Sequence, residues 1–184
     1  IIPQKECTPE RMEADFRANH QKIEMLIRIT RSWLPDSTGF SVEYSKHGKL
    51  TDWGVSSKQE VNFQGVEIGS QKEQEKELRK IGLSLERLDS VRLALQKMGY
   101  RGLSVSRGAI SDYTEIVYGK TGNKEFNYRI YDKPLADSLV YKLNRCYNLI
   151  VYNRYVVFSC VEDFDYDSPF PGKYAYLQKH TLSK

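Results

Sequence analysis

The chain has few of the residues that form metal sites and disulfides. Its 184 residues include only 3 cysteines and 3 histidines. No Cys-x-x-Cys pair occurs, and no histidine lies near a second candidate ligand along the sequence. The composition therefore argues against a zinc site and against a disulfide scaffold. We expect Cys146 and Cys160 to be either buried structural thiols or partners in one disulfide.

Long apolar runs and an excess of one charge are also missing. The longest apolar runs, residues 149–152 and 155–158, fall far short of the roughly 20 residues that a membrane-spanning helix needs. The 28 basic and 24 acidic residues are interleaved, so the net charge of +4 is not gathered into a basic stripe. The sequence therefore predicts no membrane span and makes nucleic-acid binding an unfavoured alternative.

The sequence has no catalytic motif that stands out. The serines around Arg107 and Gly108 do not have the Gly-x-Ser-x-Gly spacing of a hydrolase nucleophile. A catalytic thiol at Cys146 or Cys160 would have to be exposed and paired with a base, which nothing in the spacing indicates. We therefore favour a non-enzymatic protein without a cofactor, and we keep a hydrolase-like enzyme with an unrecognised site as the alternative.

Three segments have the pattern of amphipathic helices. Thr8-Pro9-Glu10 starts the first, because threonine can cap a helix and proline suits its first turn, and Pro35 ends it. Ser84 caps the second helix, which ends at Gly99. The third follows Asp132-Lys133-Pro134 and carries leucines at helical spacing. We expect these helices to pack on a sheet.

Alternating and β-branched segments predict the strands of that sheet. Residues 40–44 alternate apolar with polar side chains, 61–63 and 66–68 predict two short strands, and 103–131 have the pattern of a three-stranded meander. Residues 147–161, the densest block of β-branched and aromatic residues, predict a hairpin that we place at the centre of the sheet. Together the patterns predict one α+β domain over residues 1–184. It has an antiparallel sheet of about five to seven strands and about three amphipathic helices mainly on one face.

The acidic run after this hairpin is the most distinctive charged feature. Along an extended strand, Asp163, Asp165 and Asp167 lie on one face about 7 Å apart, and Ca²⁺ or a basic partner would relieve their repulsion. The spacing resembles the first half of a calcium-binding EF-hand loop, but Ser168 stands where that loop needs glycine. We keep three interpretations: a Ca²⁺ site, a docking patch that also includes Glu162, and a solvated loop.

Four tyrosines on the predicted strands form the second candidate site. Tyr128, Tyr131, Tyr152 and Tyr155 are amphipathic residues of a type that is over-used at binding surfaces. If they share one uncovered sheet face, they indicate a surface for a ligand or a protein. If helices cover that face, they only roof the sheet. We predict a binding surface formed by these tyrosines or by the acidic run.

Three short motifs resemble a known class of protein. They are the first-helix residues Phe16, Asn19, Ile23 and Leu26, the segment 83–87 that leads to Gly99 and Gly102, and the segment 172–177. Together they resemble small lipoprotein-type domains of bacterial cell envelopes, a class without an assigned activity. The resemblance implies an exported bacterial protein, located in the cell envelope or periplasm or secreted.

The start of the chain bears on export. It begins at Ile1 without a methionine or a signal-peptide pattern, which suggests a mature or trimmed product. Cys7 lacks the small apolar residues that precede a lipid-modified cysteine, so lipid anchoring stays open. We expect a non-enzymatic binding module of the inhibitor or immunity type. It would act on a protein partner through a tyrosine-bearing sheet face or the acidic loop.

Overall fold

A long N-terminal helix lies across one face of a seven-stranded antiparallel sheet. The computed structural model describes residues 5–57, 71–107, 113–162 and 169–181. In chain order the elements are α1 (Pro9–Trp33), β1 (Thr38–Tyr44), β2 (Leu50–Ser57), α2 (Gln71–Lys80), α3 (Leu85–Met98), β3 (Gly102–Arg107), β4 (Tyr113–Thr121), β5 (Lys124–Tyr131), α4 (Asp137–Arg145), β6 (Leu149–Asn153), β7 (Val156–Glu162) and α5 (Lys173–Thr181). The predicted α+β class and strand number are confirmed. The two short strands predicted at 61–63 and 66–68 lie outside the described residues.

The strand order corrects the predicted position of the hairpin. The order is β2-β1-β3-β4-β5-β7-β6, so the predicted meander is confirmed as β3, β4 and β5. Among the described strands, the hairpin of β6 and β7 lies at the edge of the sheet instead of its centre, because β5 pairs with β7 and leaves β6 outermost. Its high apolar content has another cause. Both of its faces are covered, one by the main core and the other by α4.

The two faces of the sheet have different coverings. We call the face that carries Phe40, Ile116, Tyr128 and Phe158 the inner face, and the opposite one the outer face. The inner face forms one core with α1 and α3, to which α2 and α5 add buried side chains. The outer face meets α4 through a small cluster around Leu149 and Val157. The prediction that helices lie mainly on one face is therefore confirmed, although α2 and α5 were not among the three expected.

The helix ends follow local chemistry. Thr8 caps α1, because its Oγ1 accepts a hydrogen bond from the Arg11 N–H at 3.4 Å. Ser84 does the same for α3 with the Arg87 N–H at 3.2 Å, and Gly99 ends α3 with a φ of 73°, in the left-handed region that favours glycine. The third predicted helix starts later than expected, at Asp137, because the Leu135 N–H donates to the Arg154 carbonyl oxygen at 2.7 Å and ties this segment to the hairpin turn.

The cysteines do not form the disulfide that the sequence left open. All three thiols are free, with Cys7 and Cys160 buried and Cys146 exposed. The buried structural thiol is therefore confirmed for Cys160, whereas both alternatives are wrong for Cys146. Burial raises the pKa of the Cys160 thiol to about 11, which keeps it protonated and unreactive at neutral pH. No helix in the described ranges is long and apolar enough to cross a bilayer.

Candidate binding cleft

The four predicted tyrosines do not share one uncovered face. Tyr128 lies on the inner face and is fully buried beneath α1, with its ring edge-on to Phe16 at 5.3 Å. Its hydroxyl donates to the Met12 carbonyl oxygen at 2.8 Å. The prediction of Tyr128 as a binding residue is therefore wrong, because α1 covers its ring and satisfies its hydroxyl. Tyr131, three residues further along β5, lies on the outer face, as the two-residue period of a strand requires.

The other two tyrosines lie at the β6–β7 hairpin. Tyr152 is half-buried on the inner face, where its ring stacks on Phe158 at 5.2 Å and its hydroxyl accepts a hydrogen bond from Arg17 Nε at 3.0 Å. Tyr155 is exposed in the hairpin turn. The Asn153 side chain holds this turn, because its Oδ1 accepts a hydrogen bond from the Tyr155 N–H at 2.8 Å.

Tyr131 and Tyr155 meet where the end of β5 and the hairpin turn approach α1. The Tyr131 N–H donates to the Tyr155 carbonyl oxygen at 2.7 Å. Together with one flank of α1 the two residues line a cleft of about 560 Å³, which we call the tyrosine cleft. Its apolar lining consists of Phe16, Ile27, Ile130 and Val156. A volume of this size and an apolar lining are typical of binding pockets.

Charged side chains of α1 form much of the rim of the tyrosine cleft. The rim residues are His20, Glu24, Arg28, Arg31, Asp132 and Asn153. Arg31 is fixed in place, because its guanidinium pairs with Asp132 at 2.6 Å and donates to Thr114 Oγ1 at 2.7 Å. Its buried Nε has no hydrogen-bond partner among the residues that the structure describes. In contrast, the side chains of Arg28 and Tyr155 make no hydrogen bond or ion pair within the described ranges, so both are available to an occupant.

The acidic run contributes little that the structure describes. Asp163, Asp165 and Asp167 lie outside the described residues, so the Ca²⁺ site and the docking patch stay predictions. The Glu162 carboxylate pairs with Lys124 at 3.6 Å and accepts a hydrogen bond from Asn123, which ties it to the β4–β5 hairpin. Within the part of the chain that is described, no three histidine, cysteine or carboxylate side chains converge as a metal site.

A second group of titratable side chains, partly or fully buried, lies between α1, α3 and the inner face. Lys5 Nζ donates to Asp15 Oδ1 at 2.7 Å and to the Met98 carbonyl oxygen at 2.9 Å, and it lies 4.0 Å from the centre of the Tyr100 ring. The Tyr100 hydroxyl donates to Asp15 Oδ2. Burial raises the pKa of Tyr100 and Tyr128 far above that of a free phenol, and it lowers the pKa of Lys5. These groups satisfy one another, so we assign them to stability.

Sequence reasoning missed the part of the cleft that α1 supplies. The sequence pattern places Arg28 on the polar side of the first helix, beside the apolar stripe that includes Phe16 and Ile27. Only the approach of the hairpin turn, a contact between distant parts of the chain, converts that face into a rim. The helix pattern gives no signal for this contact, because Glu24 lies four residues before Arg28, a spacing that is also typical of an ion pair on a solvated face. Comparisons with protein-family models, curated proteins and solved structures find no match for this chain.

Proposed function

We propose that the protein is a non-enzymatic binding module, of the inhibitor or immunity type, that recognises a partner protein through the tyrosine cleft. One observation carries the proposal. Tyr155 and Arg28 stand at the mouth of an apolar cleft, and neither side chain has a polar partner within the described ranges. Tyrosine and arginine beside an apolar pocket are the residues that dominate binding energy at protein interfaces.

The geometry indicates how a partner would be held. An apolar side chain of the partner would fill the space over Phe16, Ile27 and Val156, where it leaves water on binding. Arg28 would pair with a carboxylate beside that anchor, and Tyr155 would cover the anchor from the hairpin side. Arg31, already fixed by Asp132, would stiffen the wall without changing its contacts. Little of the cleft would have to reorganise, which keeps the cost of binding low.

The hydrolase-like alternative has less support in this cleft. Its described lining residues include no serine, threonine, cysteine or lysine that could act as a nucleophile. His20 and Glu24 are one helical turn apart and could move protons, but Nδ1 of His20 lies 2.9 Å from the Arg17 carbonyl oxygen. That hydrogen bond leaves only Nε2 for acid–base work. Nucleic-acid binding has less support again, because the rim carries Glu24 and Asp132 as well as its two arginines.

The proposed location follows from the sequence resemblance alone. We propose that the module belongs to an exported bacterial protein of the cell envelope, where inhibitor- and immunity-type proteins would meet their targets. Fractionation of the source cells tests this directly. Recovery with the envelope or periplasmic fraction is the expected result, and recovery with the cytosol would contradict it.

Site-specific cross-linking in the source cells tests the binding proposal. A photoreactive benzoylphenylalanine replaces Tyr155, and in a matched control it replaces Tyr141; these side chains are 48% and 64% exposed. Tyr141 lies on α4, outside the cleft. We expect one protein to be captured from Tyr155 and not from Tyr141. Purified, it should bind Tyr155→Ala and Arg28→Ala at least about tenfold more weakly than wild type, a loss of about 1.4 kcal/mol.

Two outcomes would contradict the proposal. In the first, Tyr141 captures the same protein as efficiently as Tyr155. In the second, the captured protein binds the Tyr155→Ala and Arg28→Ala variants as tightly as wild type. Turnover of the captured protein that is lost in His20→Ala would favour the enzyme instead.

A further inference from the structure

The flank of α1 that faces away from the tyrosine cleft forms a groove with α3. Its apolar lining consists of Met25, Leu26, Ile29, Trp33, Val91, Ala94 and Met98, around a volume of about 290 Å³. We call it the methionine groove. Met25 is 53% exposed and Ile29 is 41% exposed, although both are apolar. Exposed apolar side chains gathered in one groove mark an interaction site more often than scattered ones do.

The shape of the groove matches a helix. Its positions on α1 are spaced by three or four residues, from Lys22 through Ile29 to Trp33, and those on α3 are spaced in the same way. The two helices run antiparallel, because Trp33 at the end of α1 lies 5.1 Å from the guanidinium of Arg87 near the start of α3. The α1 side of the groove is roughly 16 Å long at 1.5 Å per residue, or three helical turns. A groove of this length between two antiparallel helices can bind a third helix.

The polar lining adds a charge preference. Its three members are Lys22, Ser90 and Lys97, so no acidic residue lines the groove within the described ranges. Neither lysine has an ion pair there; Lys22 Nζ makes only a long hydrogen bond to Asn19 Oδ1 at 3.4 Å. Both lysines lie at the same end of the groove, towards the end of α3. Two unpaired cations beside an apolar groove favour an acidic occupant.

We propose that the methionine groove binds an amphipathic helix of a partner protein, with acidic residues at the end that reaches Lys22 and Lys97. The apolar face of that helix would pack on Met25, Ile29 and Trp33. The flexible side chains of Met25 and Met98 would adapt to its shape. The groove shares no residue with the tyrosine cleft, so the proposal does not depend on the function proposed for the cleft.

Titration with two designed peptides tests the proposal on the full chain. Both peptides are amphipathic helices of about 20 residues, long enough to be helical alone, with leucines at three- and four-residue spacing and no tryptophan. One carries two glutamates at one end and the other carries two lysines there. The fluorescence of Trp33 reports binding, because the chain's other tryptophan, Trp53, is buried. We expect the glutamate peptide to bind at least about tenfold more tightly than the lysine peptide.

Three variants complete the experiment. Ile29→Gln should weaken the glutamate peptide at least about tenfold, whereas Leu93→Gln, which changes an exposed leucine of α3 outside the groove, should leave it unchanged. Lys22→Glu with Lys97→Glu should reverse the preference between the peptides. Equal affinity for both peptides, failure of both to bind, or insensitivity to Ile29→Gln would overturn the proposal. Self-association, or binding to anionic lipid vesicles, would also overturn the proposal if Ile29→Gln abolished it, because a second copy of the chain or a membrane would then occupy the groove.

Discussion

Replacing Asp15 with alanine is expected to lower the free energy of unfolding by about 3 kcal/mol, the lower end of the loss caused by removing one partner of a buried ion pair, because this pair is partly buried. The side chains of Lys5 and Asp15 are only 13% and 21% exposed. Without Asp15 the Lys5 ammonium would stay in the interior with the Met98 carbonyl as its remaining polar contact. The Tyr100 hydroxyl would lose its acceptor as well. Urea denaturation followed by circular dichroism measures the loss.

Two further variants make this expectation specific. Asp15→Asn keeps an acceptor for Tyr100 but removes the charge. We therefore expect its free energy of unfolding to lie between those of wild type and Asp15→Ala. Asp137→Ala removes one partner of the Arg154–Asp137 ion pair, in which the Asp137 side chain is largely exposed. We expect it to lower the free energy of unfolding by less than about 1 kcal/mol. If Asp15→Ala cost no more than Asp137→Ala, the buried cluster would not be the stabilising element that its hydrogen bonds indicate.

The second large effect is unfolding in alkali. Burial raises the pKa of five tyrosines well above the ordinary value near 10: Tyr44, Tyr100, Tyr118, Tyr128 and Tyr176. Above pH 10 the unfolded chain ionises these phenols while the folded chain keeps them protonated. The folded state then binds more protons, so the stability that is fully present below pH 10 is lost as the pH rises. Each tyrosine lowers the free energy of unfolding by about 1.4 kcal/mol per pH unit, so the five together lower it by roughly 7 kcal/mol per pH unit.

Other groups change this slope without reversing its sign. The pKa of Cys7 and of Cys160 is also raised by burial. These thiols therefore also lower the free energy of unfolding as the pH rises above about 9. Burial lowers the pKa of Lys5 and Lys173. These amines therefore raise the free energy of unfolding as the pH rises from their lowered pKa to their ordinary one near 10.5. Above that value they contribute no slope, and the tyrosines dominate.

A pH titration between 9 and 12 measures the effect through two signals, the near-ultraviolet absorbance of phenolate and the far-ultraviolet circular dichroism. We expect a cooperative loss of helix and strand signal that coincides with a step in phenolate absorbance. Tyr128→Phe should make the dependence of stability on pH shallower by about 1.4 kcal/mol per pH unit. A smooth phenolate titration near pH 10 with an unchanged circular dichroism spectrum would contradict the burial of these phenols.

Local chemistry explains which parts of the fold the sequence predicted. The Thr8 cap, the Ser84 cap and the left-handed Gly99 depend on neighbouring residues alone, and the structure confirms all three. The position of the β6–β7 hairpin in the sheet depends on which strand pairs with β5, a contact between distant segments. Apolar content cannot decide that, because an edge strand covered by α4 is as apolar as a central one.

The candidate site was only half visible in the sequence, for a similar reason. Tyr128 and Tyr131 are three residues apart, so the two-residue period of a strand already places them on opposite faces. The sequence alone therefore excludes one face that carries both. The sequence pattern places Tyr155 on a strand with the other three tyrosines, whereas the structure places it in the hairpin turn, where its side chain is exposed. Arg28 and the rest of the α1 rim could not be assigned, because a helix pattern distinguishes an inner stripe from an outer face and does not show which loop approaches its edge.

Amide hydrogen exchange with the partner captured at Tyr155 shows directly whether the tyrosine cleft is the binding site, because it locates the bound partner on the chain. We expect partner-dependent protection in residues 20–31 of α1 and in residues 153–156 of the hairpin turn, which together line the tyrosine cleft. Strand β3 and helix α4 should exchange as they do in the free protein. Protection confined to β3 or α4, with unchanged exchange along the cleft, would contradict the account.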